Sequence, residues 1–222
     1  MHWRDEGYIL SKRNYDENSI IIECFTNSHG KCSGIVYGGS SRKKKMIFQV
    51  GNKILLNYKS KNQNKVGYFY TELIEPISAK YFDDKRRSIC ILSAASILKI
   101  LLPEAEANKK VYSLFENLLN QLNLTNWIKF YIYWEIAIVN ELGFEIDLKT
   151  MNNNKLTPRT IEINDKIFNL PKLLVEKNIK RVTKHEIKQA LNFNKSLLIE
   201  NFILPNRLRF PLSRNILEKY YS

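Results

Sequence analysis

The stretch Lys53–Glu75, KILLNYKSKNQNKVGYFYTELIE, holds two runs of alternating apolar and polar residues around a polar turn. In Lys53–Lys59, Ile54, Leu56 and Tyr58 share one face, while Lys53, Leu55, Asn57 and Lys59 share the other. Successive side chains of a strand point to opposite sides, so the first face is the expected interior of a β-structure. In Gly67–Glu75, Tyr68 and Tyr70 point opposite to Phe69. Upstream, the same alternation predicts strands at Tyr8–Arg13, Ser19–Phe25 and Gly34–Tyr37. Turn-forming clusters separate them at Asn14–Asn18, Asn27–Gly30, Gly38–Ser41 and Gly51–Asn52. Five short strands in succession predict a small barrel, and the OB type is a five-stranded solution suited to nucleic acid.

Pro76 ends the β-region and the pattern changes to helical period. Helices are predicted over Lys85–Leu102 (stopped by Pro103), over 106–123, and over Thr125–Leu142 (closed by Gly143). In the last of these, Trp127, Tyr131, Trp134, Ile138 and Leu142 form one apolar stripe that Glu135 interrupts. Met151–Phe168 reads as polar and irregular. Short helices follow at Leu170–Val175, Thr183–Phe193, Lys195–Ile203 and Pro211–Tyr221. The expected fold class is α+β: an OB barrel over 1–78, then an all-α domain over 79–222 with a shortened irregular segment at 149–169.

Charge is unevenly spread over the net +13. Residues 1–75 hold 12 Lys/Arg against 7 Asp/Glu, 76–154 hold 9 against 9, and 155–222 hold 14 against 6. Between Glu23 and Glu72 there is no acidic residue, yet there are nine basic ones: Lys31, Arg42, Lys43, Lys44, Lys45, Lys53, Lys59, Lys61 and Lys65. A one-sign field with interleaved aromatics is what a polyanion surface requires. These nine are the candidate DNA-binding residues. Arg42–Lys45 follows Gly38-Gly39 in a loop between strands, where four adjacent cations can meet successive phosphates. Of Tyr37, Tyr58, Tyr68, Phe69 and Tyr70, alternation sends about half to the core and leaves one or two to stack on unpaired bases.

Signals for catalysis are poor. Cys24, Cys32 and Cys90 lack metal spacing and read as reduced and structural. His2, His29 and His185 have no partner pattern, and there is no Walker A loop, GxGxxG or HExxH. Asp83-Asp84, ahead of Lys85-Arg86-Arg87, reads as a helix cap, and Glu135 as a carboxylate bonded to a neighbour. No cofactor and no metal are expected. The charged opening Met1–Glu6 predicts no signal peptide, and Ile89–Leu102 is too short to span a bilayer. A cytoplasmic protein is expected. An RNA-associated OB protein would share the basic barrel, and an enzyme reading would need Asp83, Asp84 or Glu135.

Several segments together resemble the bacterial recombination mediator family RecO. They are Trp3–Leu10, Tyr15–Ile20, Phe25-Thr26, His29-Gly30, Gly38–Arg42 and Gln49–Gly51, then Tyr133–Ala137, Glu141–Phe144, Asp147-Leu148, and Ala190-Leu191 through Phe202. The resemblance runs nearly the full length. It implies an OB barrel joined to a helical domain and no enzymatic turnover. It also implies binding of single- and double-stranded DNA and annealing of complementary strands. The implied partners are RecR and the acidic, Phe-ended tail of the single-stranded DNA-binding protein (SSB), with RecA loaded indirectly at gaps. Two departures stand out. Many relatives carry a four-cysteine zinc module where Asp147–Phe168 has no cysteine. Relatives also often have Arg before the Trp-Glu pair, where this chain has Tyr133; Lys129, one turn earlier, is the substitute expected beside Tyr133 at an SSB-tail site.

Overall fold

The computed structural model describes residues 1–42, 44–60, 66–144, 146, 160–164, 166–175 and 182–222. The expectations for Lys43, Lys61 and Lys65, and for most of the segment 149–169, lie outside these. Two compact units emerge, Met1–Ser113 and Leu114–Ser222.

The first unit is built on β1 (His2–Asn14), β2 (Ile20–Thr26), β3 (Gly30–Val36), β4 (Lys53–Lys59) and β5 (Gly67–Glu75). They close into a barrel in the order β1-β2-β3-β5-β4, an OB topology. All pairings are antiparallel except β3 with β5, where Gly34 faces Gly67 and Ile35 faces Tyr68. β1 is long because it closes the barrel on both sides: Gly7–Asn14 pair with β2 and His2–Tyr8 with β4. An irregularity between Ile9 and Ser11 gives it the bend this needs. The core holds Ile9, Ile22, Cys24, Phe48, Ile54, Leu56 and Phe69, so the interior face read from β4 is the observed one. Gly34 and Gly67 are required by close approach: a Cβ there would lie 2.4 Å from the Phe69 and Tyr58 rings respectively.

After β5 come α1 (Ile77–Lys80) and α2 (Lys85–Leu101). Asp84 caps α2, its carboxylate accepting from the Arg86 and Arg87 amides at 3.0 Å. The chain beyond α2 returns to the barrel. The Ala105 amide donates to the Lys31 carbonyl at 2.7 Å, and Glu106 backbone lies so close to Gly30 that a Cβ there would be 2.0 Å from its oxygen. Tyr112 then packs on the Tyr8 and Phe25 rings at 5.4 and 5.7 Å. The sequence boundary at 78 marks a change of secondary structure; compactness instead divides the chain at 113, because 79–113 pack with the barrel.

The second unit begins within α3 (Lys109–Gln121) and continues with α4 (Trp127–Glu141), the hairpin β6 (Thr160–Ile163) and β7 (Lys166–Asn169), and α5 (Lys172–Val175). The long α6 (Lys184–Leu198) passes into a π-helical turn (Ile199–Ile203), and α7 (Leu212–Lys219) follows. The hairpin replaces irregular chain expected there; each arm is only four residues, too short to register as a period. The helices expected at Thr183–Phe193 and Lys195–Ile203 are one continuous run, started by a capping box between Thr183 and Glu186. α4 is buried on most sides. Glu135, fully buried, accepts from Tyr131 Oη at 2.8 Å, Asn194 Nδ2 at 3.1 Å, and Arg214 Nε and Nη2 at 2.5 and 3.2 Å. Arg214 Nη2 also donates to the Leu191 carbonyl at 2.7 Å. One buried ion pair thereby fixes α4, α6 and α7 together. Among the described residues no helix is long and apolar enough to cross a membrane.

Candidate nucleic-acid interface

The loop between β3 and β4 carries Arg42, Lys44 and Lys45, all exposed. It is held at several points. Ser40 donates through N to the Asn18 carbonyl and through Oγ to the Glu17 carbonyl. The Lys44 and Lys45 amides both donate to the Ser41 carbonyl at 3.0 Å, forming a helical turn. Phe48 drops into the barrel core. Asn52, almost fully buried, donates to the Met46 and Ile47 carbonyls at 3.1 and 2.9 Å and accepts from the Ser78 amide at 3.0 Å. The cations therefore sit on a preorganised backbone, which lowers the ordering cost of binding.

Lys12, exposed on β1, joins them. Burial of its stem and the like charge of Lys45 both pull it below the usual lysine range. Among the described residues no carboxylate forms an ion pair with Lys12, Arg42, Lys44 or Lys45. These like charges without a carboxylate partner make a local positive field of the kind that suits a polyanion.

The other basic residues divide. Lys59 is exposed, with Nζ 5.3 Å from the Tyr70 ring centroid. Lys53 is paired with Glu6 at 3.3 Å and lies over Tyr8. Lys31 is a correction. Its ammonium is buried, donating to the Lys99 carbonyl in the last turn of α2 at 2.8 Å and pairing with Glu104 at 3.3 Å. A cation on a helix C-terminus satisfies an orphan carbonyl and the helix dipole. Lys31 is therefore structural and withdrawn from any DNA surface.

The strand order assembles a further surface from residues that charge counting passed over. On the outer face of β1, β4 and β5, register places His2 beside Lys59 beside Tyr68, and Arg4 beside Asn57 beside Tyr70. The next row is Glu6, Leu55 and Glu72, so the strip is positive and aromatic at one end and acidic at the other. Tyr37, at the end of β3, meets Tyr68 at 6.0 Å, and Tyr68 meets Tyr70 at 6.1 Å. Tyr37 is 60% exposed and Tyr70 58%. By contrast, Tyr58 and Phe69 turn inward, with Tyr58 stacked on Trp3 at 4.9 Å.

In the second unit, Tyr133 exposes part of its ring while its hydroxyl donates to the Leu173 carbonyl at 2.8 Å; burial pushes its pKa up. Lys129 stands one turn before it, half-buried, on the same face of α4. Of the three carboxylates an enzyme reading would draw on, Asp84 caps α2 and Glu135 pairs with Arg214. The cysteines are free thiols. Among the described residues no group of His, Cys, Asp and Glu is placed to hold a metal ion.

Residues 1–77 match the family described as Recombination protein O N terminal, and residues 83–154 match Recombination protein O C terminal. A DNA repair protein RecO from Wolbachia pipientis subsp. Culex pipiens is 33% identical over 150 residues, covering 67% of this chain and 61% of that protein. One from Roseobacter denitrificans is also 33% identical over 150 residues, with 67% and 62% covered. Another, from Cereibacter sphaeroides (strain ATCC 17029), is 37% identical over 149 residues, with the same coverage. The matched stretch spans less than two thirds of each relative's length. Two adjoining family matches, over a five-stranded OB barrel and the helices after it, place this chain in the recombination protein O (RecO) family.

Proposed function

We propose that this chain is a DNA-binding recombination mediator acting in DNA repair, without enzymatic turnover. The observation that carries the reading is the cluster of Lys12, Arg42, Lys44 and Lys45, four exposed cations on an anchored loop and its neighbouring strand. Their ammonium and guanidinium groups reach backbone phosphates of single or double strands without reading bases. Neutralising backbone while leaving base edges free is what annealing of complementary strands requires. In this reading RecR and the acidic tail of SSB are protein partners, RecA is served indirectly at gaps, and the protein works at the nucleoid in the cytoplasm. The exposed parts of Tyr133 and Phe130 on α4, with Lys129 nearby, support a site for an acidic tail with an aromatic end.

The test is the salt dependence of DNA binding. In R42A/K44A/K45A, the slope of log affinity against log salt should flatten by about 2 for single strands, at about 0.7 per lost phosphate contact. An unchanged slope removes the loop from the site. For the second unit, deleting the terminal Phe of an SSB-tail peptide should abolish its binding, and unaltered affinity would defeat that assignment.

A further inference from the structure

The basic loop alone cannot distinguish paired from unpaired DNA, because both present phosphates. We infer that Tyr37, Tyr68 and Tyr70 form a stacking platform for unpaired bases, which makes the barrel prefer single strands over duplex. This rests on the DNA-binding reading above and extends it from phosphate contact to strand state.

Three features support the platform. First, the rings are brought together by the barrel itself. Tyr68 and Tyr70 alternate outward on β5, and the parallel pairing of β3 with β5 delivers Tyr37 to within 6.0 Å of Tyr68. Second, none of these rings is stacked face to face on another. Tyr37 and Tyr68 are tilted by 53°, and Tyr68 and Tyr70 meet edge-on at 79°. Third, cations flank the row at both ends. Lys59 Nζ lies over Tyr70. At the other end, Lys44 Nζ folds back beside Gly38, where an added Cβ would lie 3.8 Å from it, next in sequence to Tyr37.

The arrangement suits a single strand, in which base faces are free and phosphates alternate with them. A base arriving on Tyr70 displaces the Lys59 ammonium from the ring towards a neighbouring phosphate. An exposed cation–π contact is weak, and a charge-assisted bond to phosphate replaces it. In a duplex each base face is already covered by its neighbour, so the tyrosines gain nothing there. Tyr37 and Tyr70 are largely exposed and Tyr68 half-buried, whereas the inward-facing Tyr58 and Phe69 serve the core.

The experiment compares Y37A/Y70A with wild type on a single strand, the matching duplex, and an abasic strand of equal length. Each lost stack should weaken single-strand binding by about 5-fold to 140-fold. Duplex and abasic binding, and the salt slope, should stay at wild-type values. Y37F/Y70F keeps both rings and should bind single strands as wild type does. K59A should instead flatten the single-strand slope by about 0.7. Equal losses on single strand and duplex, or full single-strand affinity in Y37A/Y70A, would overturn the platform while leaving DNA binding intact. A wild-type chain with no affinity for any of the three would overturn the DNA-binding reading itself, and the platform with it.

Discussion

Replacing Glu135 by Leu leaves the Arg214 guanidinium fully buried without its main counter-charge. Arg214 would lose the bonds at 2.5 and 3.2 Å and keep only the Leu191 carbonyl at 2.7 Å and the distant Glu218 at 3.5 Å. The buried Tyr131 hydroxyl would lose its acceptor, while Asn194 keeps the Ile132 carbonyl at 2.8 Å. Stranding one member of a buried ion pair costs about 3–5 kcal/mol. Because Glu218 compensates in part and neighbouring losses do not add, the expected cost is about 3–5 kcal/mol. The assay is urea unfolding in a W3F background, where Trp127 and Trp134 report on the second unit alone. The double variant E135L/R214L, which removes both charges, should recover at least about 2 kcal/mol relative to E135L. A loss below about 1 kcal/mol in E135L, or a double variant no better than the single, would refute the claim that this pair holds the three helices together.

Lys31→Met should destabilise the first unit by about 1–3 kcal/mol through loss of the helix-end bond, followed by Trp3 fluorescence, while DNA affinity and salt slope stay unchanged. A flattened slope would return Lys31 to the DNA surface. Glu23 offers a pH test. Burial alone would raise its pKa, but the hydrogen bonds from Lys99 and Ser11 and the charges of Lys99 and Lys31 hold it below the ordinary value. A depressed folded pKa gives stability that is complete above the unfolded range, about pH 4.3, and is lost as pH falls through the folded value. Lys99→Met should therefore flatten the fall in urea midpoint below pH 5; an unaltered acid limb would contradict the pairing. Cys32, pushed up to about 12 chiefly by burial, should be about one part in ten thousand thiolate at pH 8. Peptide mass spectrometry should find it unalkylated by iodoacetamide in the folded chain, and rapid labelling would refute that environment.

Much of the barrel was legible because strand signals are local. The bounds of β4 and β5, the inward set Ile54 and Leu56, and the Asp84 cap all depend on residues within one turn or one pleat of each other. What was hidden depends on partners far along the chain. Lys31 resembles its basic neighbours until Lys99, 68 positions away, supplies the carbonyl it caps. Glu135 reads as an anomaly until Arg214, 79 positions on, arrives on α7. The tyrosine row was visible as aromatics but not as a row, since only the parallel neighbourhood of β3 and β5 brings Tyr37 to Tyr68. Acid-free composition by itself does not separate Lys31 and Lys53, engaged within the protein, from the exposed Lys44, Lys45 and Lys59.

The Lys31 contact also has a bearing on synthesis. The groups that complete the β2–β3 end of the barrel are Lys99, Ala105 and Tyr112. At ~5–20 residues per second, translation from Lys31 to Tyr112 takes roughly 4–16 s. For that interval the emerging strands carry the exposed Arg42, Lys44 and Lys45 with one edge unfinished, within reach of the ribosome's own RNA. Early folding of this chain is therefore expected to need shielding from RNA and a holding chaperone until the turn bearing Tyr112 has left the exit tunnel.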